Sequence, residues 1–136
     1  MVKIKKFNND NVNQAVNELI NGNLISFPTE TVYGLGADAT NDKAVAKIFS
    51  NKERPTFNPL IVHVDSLDRA KKIAVFNEKI EKIIDKFWPG PLTIVLDRAK
   101  KSNISLLVSS GLKTIALRQP KNEIALFFDS QYIGAV

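Results

Sequence analysis

Residues 24–36 read Leu24-Ile25-Ser26-Phe27-Pro28-Thr29-Glu30-Thr31-Val32-Tyr33-Gly34-Leu35-Gly36. Leu24 to Phe27 is a short apolar run that Pro28 closes, the pattern of a buried strand. Thr29 to Gly36 then reads as a loop punctuated by two glycines. In an open sheet packed by helices, ligands sit beyond the carboxyl ends of the strands. The hydroxyls of Thr29 and Thr31 and the amides beside the glycines are therefore suited to a small polar ligand. No G-K-[ST] follows, and the spacing is not G-x-G-x-x-G, so neither phosphate-loop signature is present. By pattern alone the stretch is also read as a plain strand-to-helix connection with turn glycines.

Outward from this stretch, helices and strands alternate. Asn11 to Asn21 places Val12, Val16, Leu19 and Ile20 on one helical face, and Gly22 stops it. Asp42 is positioned to cap a helix to about Asn51, with Val45, Ile48 and Phe49 inward. Leu60 to Val64 is a strand, and Ser66 caps a short helix to about Ala74. Glu78 to Phe87 is a helix with Ile80, Ile83, Ile84 and Phe87 at helical spacing, broken by Pro89-Gly90-Pro91. Leu92 to Leu96 and Lys113 to Arg118 are strands. Ser102 to Gly111 has poor periodicity and fits a loop or a short helix. Lys121 to about Ser130 reads as a helix and Tyr132 to Val136 as a strand. This order predicts one α/β (α+β) domain with a central sheet packed by helices.

The chain has 136 residues and a formal net charge of +5, with no Cys and one His. One domain with a single core is the expectation at this length. Without Cys there is no disulfide framework, thiolate zinc site or cysteine nucleophile. A lone His excludes a His-rich metal site. No apolar run approaches the roughly 18 residues of a membrane span, and Met1 to Phe7 is basic with no apolar stretch behind it, unlike a signal peptide. The cytoplasm is the expected location. The basic balance is compatible with an anionic partner such as RNA or a nucleotide, and with plain solubility.

Four further stretches can carry chemistry. In Asn51-Lys52-Glu53-Arg54-Pro55-Thr56-Phe57-Asn58-Pro59-Leu60, two cations stand two residues apart beside a Pro-bounded loop. Lys as a point charge and Arg as a fork can clamp phosphate oxygens, or merely complement a helix C-terminus. His63 lies within an apolar strand, as a ligand contact or as a hydrogen-bonded core residue. Trp88-Pro89-Gly90-Pro91 reads as a helix stop with an aromatic packed on the core. Arg118 ends the strand from Thr114, facing either the ligand crevice or solvent. No carboxylate pair has the spacing for acid–base work.

Taken together and in order, these blocks resemble the YrdC/Sua5 family. They are Pro28 to Gly36, Lys52-Glu53-Arg54-Pro55, Asn58 to Val64, Trp88-Pro89-Gly90-Pro91-Leu92-Thr93 and Thr114 to Pro120. The resemblance runs from about residue 8 to the end. It implies a YrdC/RibB-like twisted mixed sheet packed with helices. It also implies L-threonylcarbamoyladenylate synthase activity: L-threonine, bicarbonate and ATP, with Mg²⁺, give threonylcarbamoyl-AMP and pyrophosphate. The product serves N6-threonylcarbamoyladenosine formation at position 37 of tRNAs reading ANN codons. By the same resemblance Thr31, His63 and Arg118 bind L-threonine, and Lys52, Arg54, Asn58 and Thr114 contact ATP. Lys52 and Arg54 serve as the catalytic cations. Family members also resemble binders of tRNA or double-stranded RNA on a positively charged face, and other proteins of the pathway are implied partners. The family continues beyond the strand matching Ile133-Gly134-Ala135-Val136 into an S-x-N motif. Residues 1–136 are therefore expected to be a YrdC-like domain lacking its C-terminal part. A non-catalytic RNA-binding module and an inactive fragment are the alternatives. Hydrogenase-maturation relatives carry zinc-finger and acylphosphatase parts, which this Cys-free sequence does not match.

Overall fold

The computed structural model describes residues 2–121 and the backbone of 133–135. The elements run α1 (Asn9–Ile20), β1 (Ile25–Phe27), β2 (Gly34–Asp38), α2 (Asp42–Asn51), β3 (Ile61–His63), α3 (Leu67–Ile73), α4 (Glu78–Phe87), β4 (Ile94–Asp97), β5 (Thr114–Arg118) and β6 (Ile133–Ala135). Six strands form one sheet in the order β1-β2-β6-β3-β5-β4. Only β3 and β5 run parallel; the other neighbours are antiparallel. The expected mixed sheet packed by helices is what the chain forms.

Each helix starts on a short polar side chain that accepts a backbone N–H otherwise left without a partner. Asn8 accepts from Asn11, Asn41 from Ala44, Ser66 from Arg69 and Asn77 from Ile80. The cap of α2 is thus Asn41 and not Asp42, which is the first helical residue. Both types cap well, and the side-chain bond to Ala44 decides between them. After α1 and its C-cap Asn21 comes Gly22, whose φ of 77° is the left-handed geometry that glycine adopts without penalty.

A second difference concerns residues 34–36, expected as loop. They are β2, paired with β1 through Gly34↔Phe27 and Gly36↔Ile25. Glycine weakens a strand by itself, but here it makes room. A Cβ on Gly34 would already touch the Phe27 ring at 3.4 Å. The expected helix over Lys121 to Ser130 lies outside the described residues.

The main core lies on one face of the sheet. Ala37, Val62, Ile115 and Leu117 pack with Ala44, Val45 and Ile48 of α2, Ala70 and Ile73 of α3, and Ile84 of α4. Side chains alternate along a strand, so Thr114, Ala116 and Arg118 point to the opposite face from Ile115 and Leu117. A smaller cluster on that opposite face joins Leu19, Val16 and Ala15 of α1 to Phe27 and Ile25. α1 therefore covers one side of the second face and leaves the surface around β5 and β4 open, where Val95 is 64% exposed.

Residues 102–112 form turns and no helix. They belong to the core: Ile104 and Val108 are buried. Arg98 holds the segment in place. Its guanidinium donates to the Ile104 carbonyl at 2.5 Å, the Ser105 carbonyl at 3.4 Å and Ser109 Oγ at 3.0 Å. Hydrogen bonds from a charged donor contribute about 1.5–3 kcal/mol each when left unmatched by solvent. Arg98→Met is expected to lower unfolding free energy by about 2–3 kcal/mol, read as the midpoint of a urea melt. An unchanged midpoint would show that water replaces the clamp without loss.

Candidate functional site

Arg118 is the last residue of β5, and its Cα partner on β3 is His63. Directly opposed residues present side chains to the same face. Arg118 is only 8% exposed, and its guanidinium meets three groups. Nε donates to the Gly90 carbonyl at 3.2 Å, Nη1 reaches Thr31 Oγ1 at 3.5 Å, and Nη2 forms an ion pair with Glu30. Burial lowers the guanidinium pKa from its ordinary value.

The Gly90 contact explains the turn after α4. Gly90 N–H donates to the Gln119 carbonyl at 2.8 Å, which ties the Pro89–Pro91 turn to the exit of β5. A Cβ at this position would meet the Phe87 carbonyl oxygen at 2.6 Å, closer than real contacts allow. Glycine is therefore required where the turn meets Arg118. Trp88 packs as expected, nearly buried, with its indole N–H donating to the Leu92 carbonyl at 2.8 Å.

The loop after β1 is folded on Thr29. Its hydroxyl donates to the Val32 carbonyl at 2.6 Å and lies 3.1 Å from Thr31 Oγ1, while the Thr31 and Val32 amides approach it. This turn carries Thr31 and Glu30 toward Arg118. Glu30 also accepts from the Lys121 amide at 2.6 Å. Glu30 thus joins two segments 91 residues apart. No sequence pattern marked it.

His63 is buried, its ring edge-on to Phe27 at 5.8 Å between centroids. Among the described residues its Nδ1 has no hydrogen-bond partner. Burial pulls its pKa down from 6.5 to about 4. It is a neutral imidazole at neutral pH, with a nitrogen free to bind a ligand.

The second group lies at the other end of these strands. α2 ends in a Schellman motif: Glu53 N–H returns to the Ser50 carbonyl at 3.3 Å and Arg54 N–H to the Phe49 carbonyl at 2.9 Å. Glu53 takes the left-handed position, φ 50°, usually given to glycine. The reversal leaves Lys52 exposed and half-buries Arg54. Arg54 donates to the Asn58 carbonyl at 3.1 Å and the Pro59 carbonyl at 2.8 Å. It therefore braces the loop that enters β3. Thr114 begins β5 two residues before Ala116, the partner of Ile61, just as Pro59 stands two residues before Ile61. Thr114 and the Arg54–Asn58 loop therefore share the amino-terminal end of the β3–β5 pair. Thr31, His63 and Arg118 share the carboxyl end, ~13 Å away along a five-residue strand.

Comparison with known proteins places this arrangement in context. The family model for Sua5, YciO and YrdC proteins, described as telomere recombination, matches residues 17–133. The chain is 46% identical over 106 residues to a threonylcarbamoyl-AMP synthase of Pyrococcus abyssi, covering 77% of this chain and 31% of that protein. It is 42% identical over 120 residues to the threonylcarbamoyl-AMP synthase of Bacillus subtilis, covering 88% and 34%. The chain thus spans about a third of the length of these two curated relatives. A crystal structure of P. abyssi Sua5 complexed with L-threonine superposes with a TM-score of 0.90 at 38% identity, covering 97% of this chain and 39% of that one. A match over most of its length, in sequence and in fold, makes this chain a member of the Sua5/YciO/YrdC family.

Proposed function

We propose that this domain forms threonylcarbamoyl-AMP from L-threonine, bicarbonate and ATP, releasing pyrophosphate and water. The observation that carries the reading is the convergence of Arg118, Thr31 and His63 Nδ1, unpartnered among the described residues, at one end of β3 and β5. The relatives' names and the L-threonine complex of P. abyssi Sua5 point the same way.

The roles follow from chemistry. A guanidinium is the natural fork for the α-carboxylate. Neutral His63 and Thr31 supply hydrogen-bonding atoms for the substrate's hydroxyl or amine. Held there, the amine attacks the carbon of bicarbonate, water is lost, and a carbamate forms. A carbamate oxygen then attacks the α-phosphorus, and the bond to the bridging oxygen of pyrophosphate breaks. In this reading Lys52 and Arg54, with Asn58 and Thr114 toward the other end of the strands, take the triphosphate and the nucleoside. The two cations offset charge that grows on the leaving pyrophosphate. Mg²⁺ enters with ATP as part of the substrate. Among the described residues no cluster of three or more His, Asp or Glu offers it a protein cage. Alignment of the carbamate with the α-phosphorus is the main contribution asked of the protein.

The test is pyrophosphate release from ATP, with and without L-threonine and bicarbonate. Release that requires both supports the reading, and none from the folded chain counts against it. Arg54→Lys keeps the charge and loses the fork. It is expected to lower kcat/KM for ATP by about tenfold to a hundredfold while leaving L-threonine affinity unchanged by direct titration. Wild-type kinetics would remove Arg54 from the phosphate site.

A second reading, a tRNA- or double-stranded-RNA-binding module, has one observation of its own. Lys71, Lys72, Lys100 and Lys101 line a shallow depression together with Ala99 and Asn103, with no carboxylate among the lining residues. Lys71 does pair with Glu81 nearby. RNA binding that weakens steeply with salt would support it, and salt-insensitive or absent binding would remove it. Proteins of the same modification pathway are proposed partners of either activity. No helix among the described residues is long and apolar enough to cross a membrane.

A further inference from the structure

The guanidinium of Arg118 has two edges that can grip a carboxylate with parallel hydrogen bonds, Nη1/Nη2 and Nε/Nη2. Nη2 belongs to both, and Nη2 is paired with Glu30. Nη2 carries one hydrogen on each edge, Nε is already bonded to the Gly90 carbonyl and Nη1 faces Thr31 Oγ1, so a carboxylate that forks onto Arg118 meets the Glu30 carboxylate at the shared nitrogen. From this we infer that Glu30 is an internal stand-in for the substrate carboxylate, which an incoming carboxylate displaces. The inference rests on the proposed L-threonine site, and it adds a residue and a movement to it.

Three observations support a displaceable partner over a fixed structural pair. Glu30 rides on the Thr29–Tyr33 turn, whose Thr31, Val32 and Tyr33 are exposed, so it can leave without unpacking the core. Among the described residues its other oxygen is held by the Lys121 amide alone, at the exposed exit of β5. On the next strand His63 Nδ1 is buried with no partner among the described residues, so the face beside the pair still offers a hydrogen-bonding atom that nothing there uses. An empty site with a buried, uncompensated guanidinium would be costly. Glu30 removes that cost when no substrate is bound, and competes with the substrate when one is. Ligands lacking a carboxylate gain nothing from opening the pair, so the exchange also selects for acids.

The test is titration of the chain with L-threonine and with L-threoninol, in wild type and in Glu30→Gln. The glutamine keeps the shape and removes the competing charge. It is expected to bind L-threonine about tenfold more tightly, with no gain for L-threoninol. An unchanged or weakened L-threonine affinity would overturn the stand-in. Should neither protein bind L-threonine, the substrate reading fails separately. Acetate then tests the stand-in alone, by binding the glutamine variant more tightly than wild type or not. Should the variant fold poorly, the wild type still decides. Saturating L-threonine is expected to speed hydrogen exchange at the Lys121 amide, because Glu30 leaves it. Slower or unchanged exchange there would overturn the inference.

Discussion

Arg118→Met is expected to cost L-threonine affinity at least about a hundredfold, some 2.7 kcal/mol. The change removes the guanidinium fork at the carboxyl end of β5. It also leaves Glu30 facing an apolar side chain, and it unpins Gly90 and Thr31. Isothermal titration reads the affinity, and a thermal melt of the free variant separates loss of the site from loss of the fold. Arg118→Lys should recover stability better than affinity, since an ammonium is a point charge that cannot fork. A methionine variant that binds L-threonine as wild type does would end the assignment of the carboxylate to this residue.

Acid should destabilise the protein through His63. In the unfolded chain this imidazole takes a proton near pH 6.5, while in the fold burial holds its pKa at about 4. Between those values the unfolded state binds the proton and the folded state refuses it, so stability falls as pH falls. The contribution is complete above pH 6.5, is lost progressively toward pH 4, and amounts to about 3 kcal/mol. Carboxylates titrate in the lower part of this range as well, so the diagnostic is a difference. His63→Gln should flatten the stability profile between pH 6.5 and 4 relative to wild type. Parallel profiles would mean that the imidazole finds water or a partner when charged. The same neutral state matters for ligand binding, because only a neutral ring keeps an accepting nitrogen.

Much of the frame was legible. α4 begins at Glu78 and ends at Phe87 as its apolar spacing and the Pro89-Gly90-Pro91 break required. α3 starts after Ser66, a residue whose hydroxyl can reach the Arg69 amide. The five ordered blocks identified the family that sequence and structural comparison establish. The parts that were not legible share a cause: they depend on partners distant in sequence. Gly34 to Gly36 carries turn residues and no strand alternation, and becomes a strand only because Phe27 and Ile25 lie opposite. The pairing of His63 with Arg118 is set by a parallel register that nothing local records. Glu30 was read as one letter of a loop motif, and its importance comes from Arg118, far along the chain. Thr114 shares one strand with Arg118, yet the strand's length holds the two at opposite ends of the β3–β5 pair.

The place of β6 in the sheet has a consequence for how the chain comes into being. β2 is complete at Asp38 and β3 at His63, yet they never pair with each other; residues 133–135 stand between them. On a ribosome, the β1–β2 hairpin and the β3–β5–β4 block emerge as two separate half-sheets. Each waits with a raw edge of unsatisfied N–H and C=O groups until the joining strand is made. Open edges of this kind recruit other chains, and strands that close late over long sequence separations are slow to arrive. Nascent copies should therefore be most vulnerable to aggregation, and most in need of a chaperone, in the interval between synthesis of Arg118 and synthesis of Ala135.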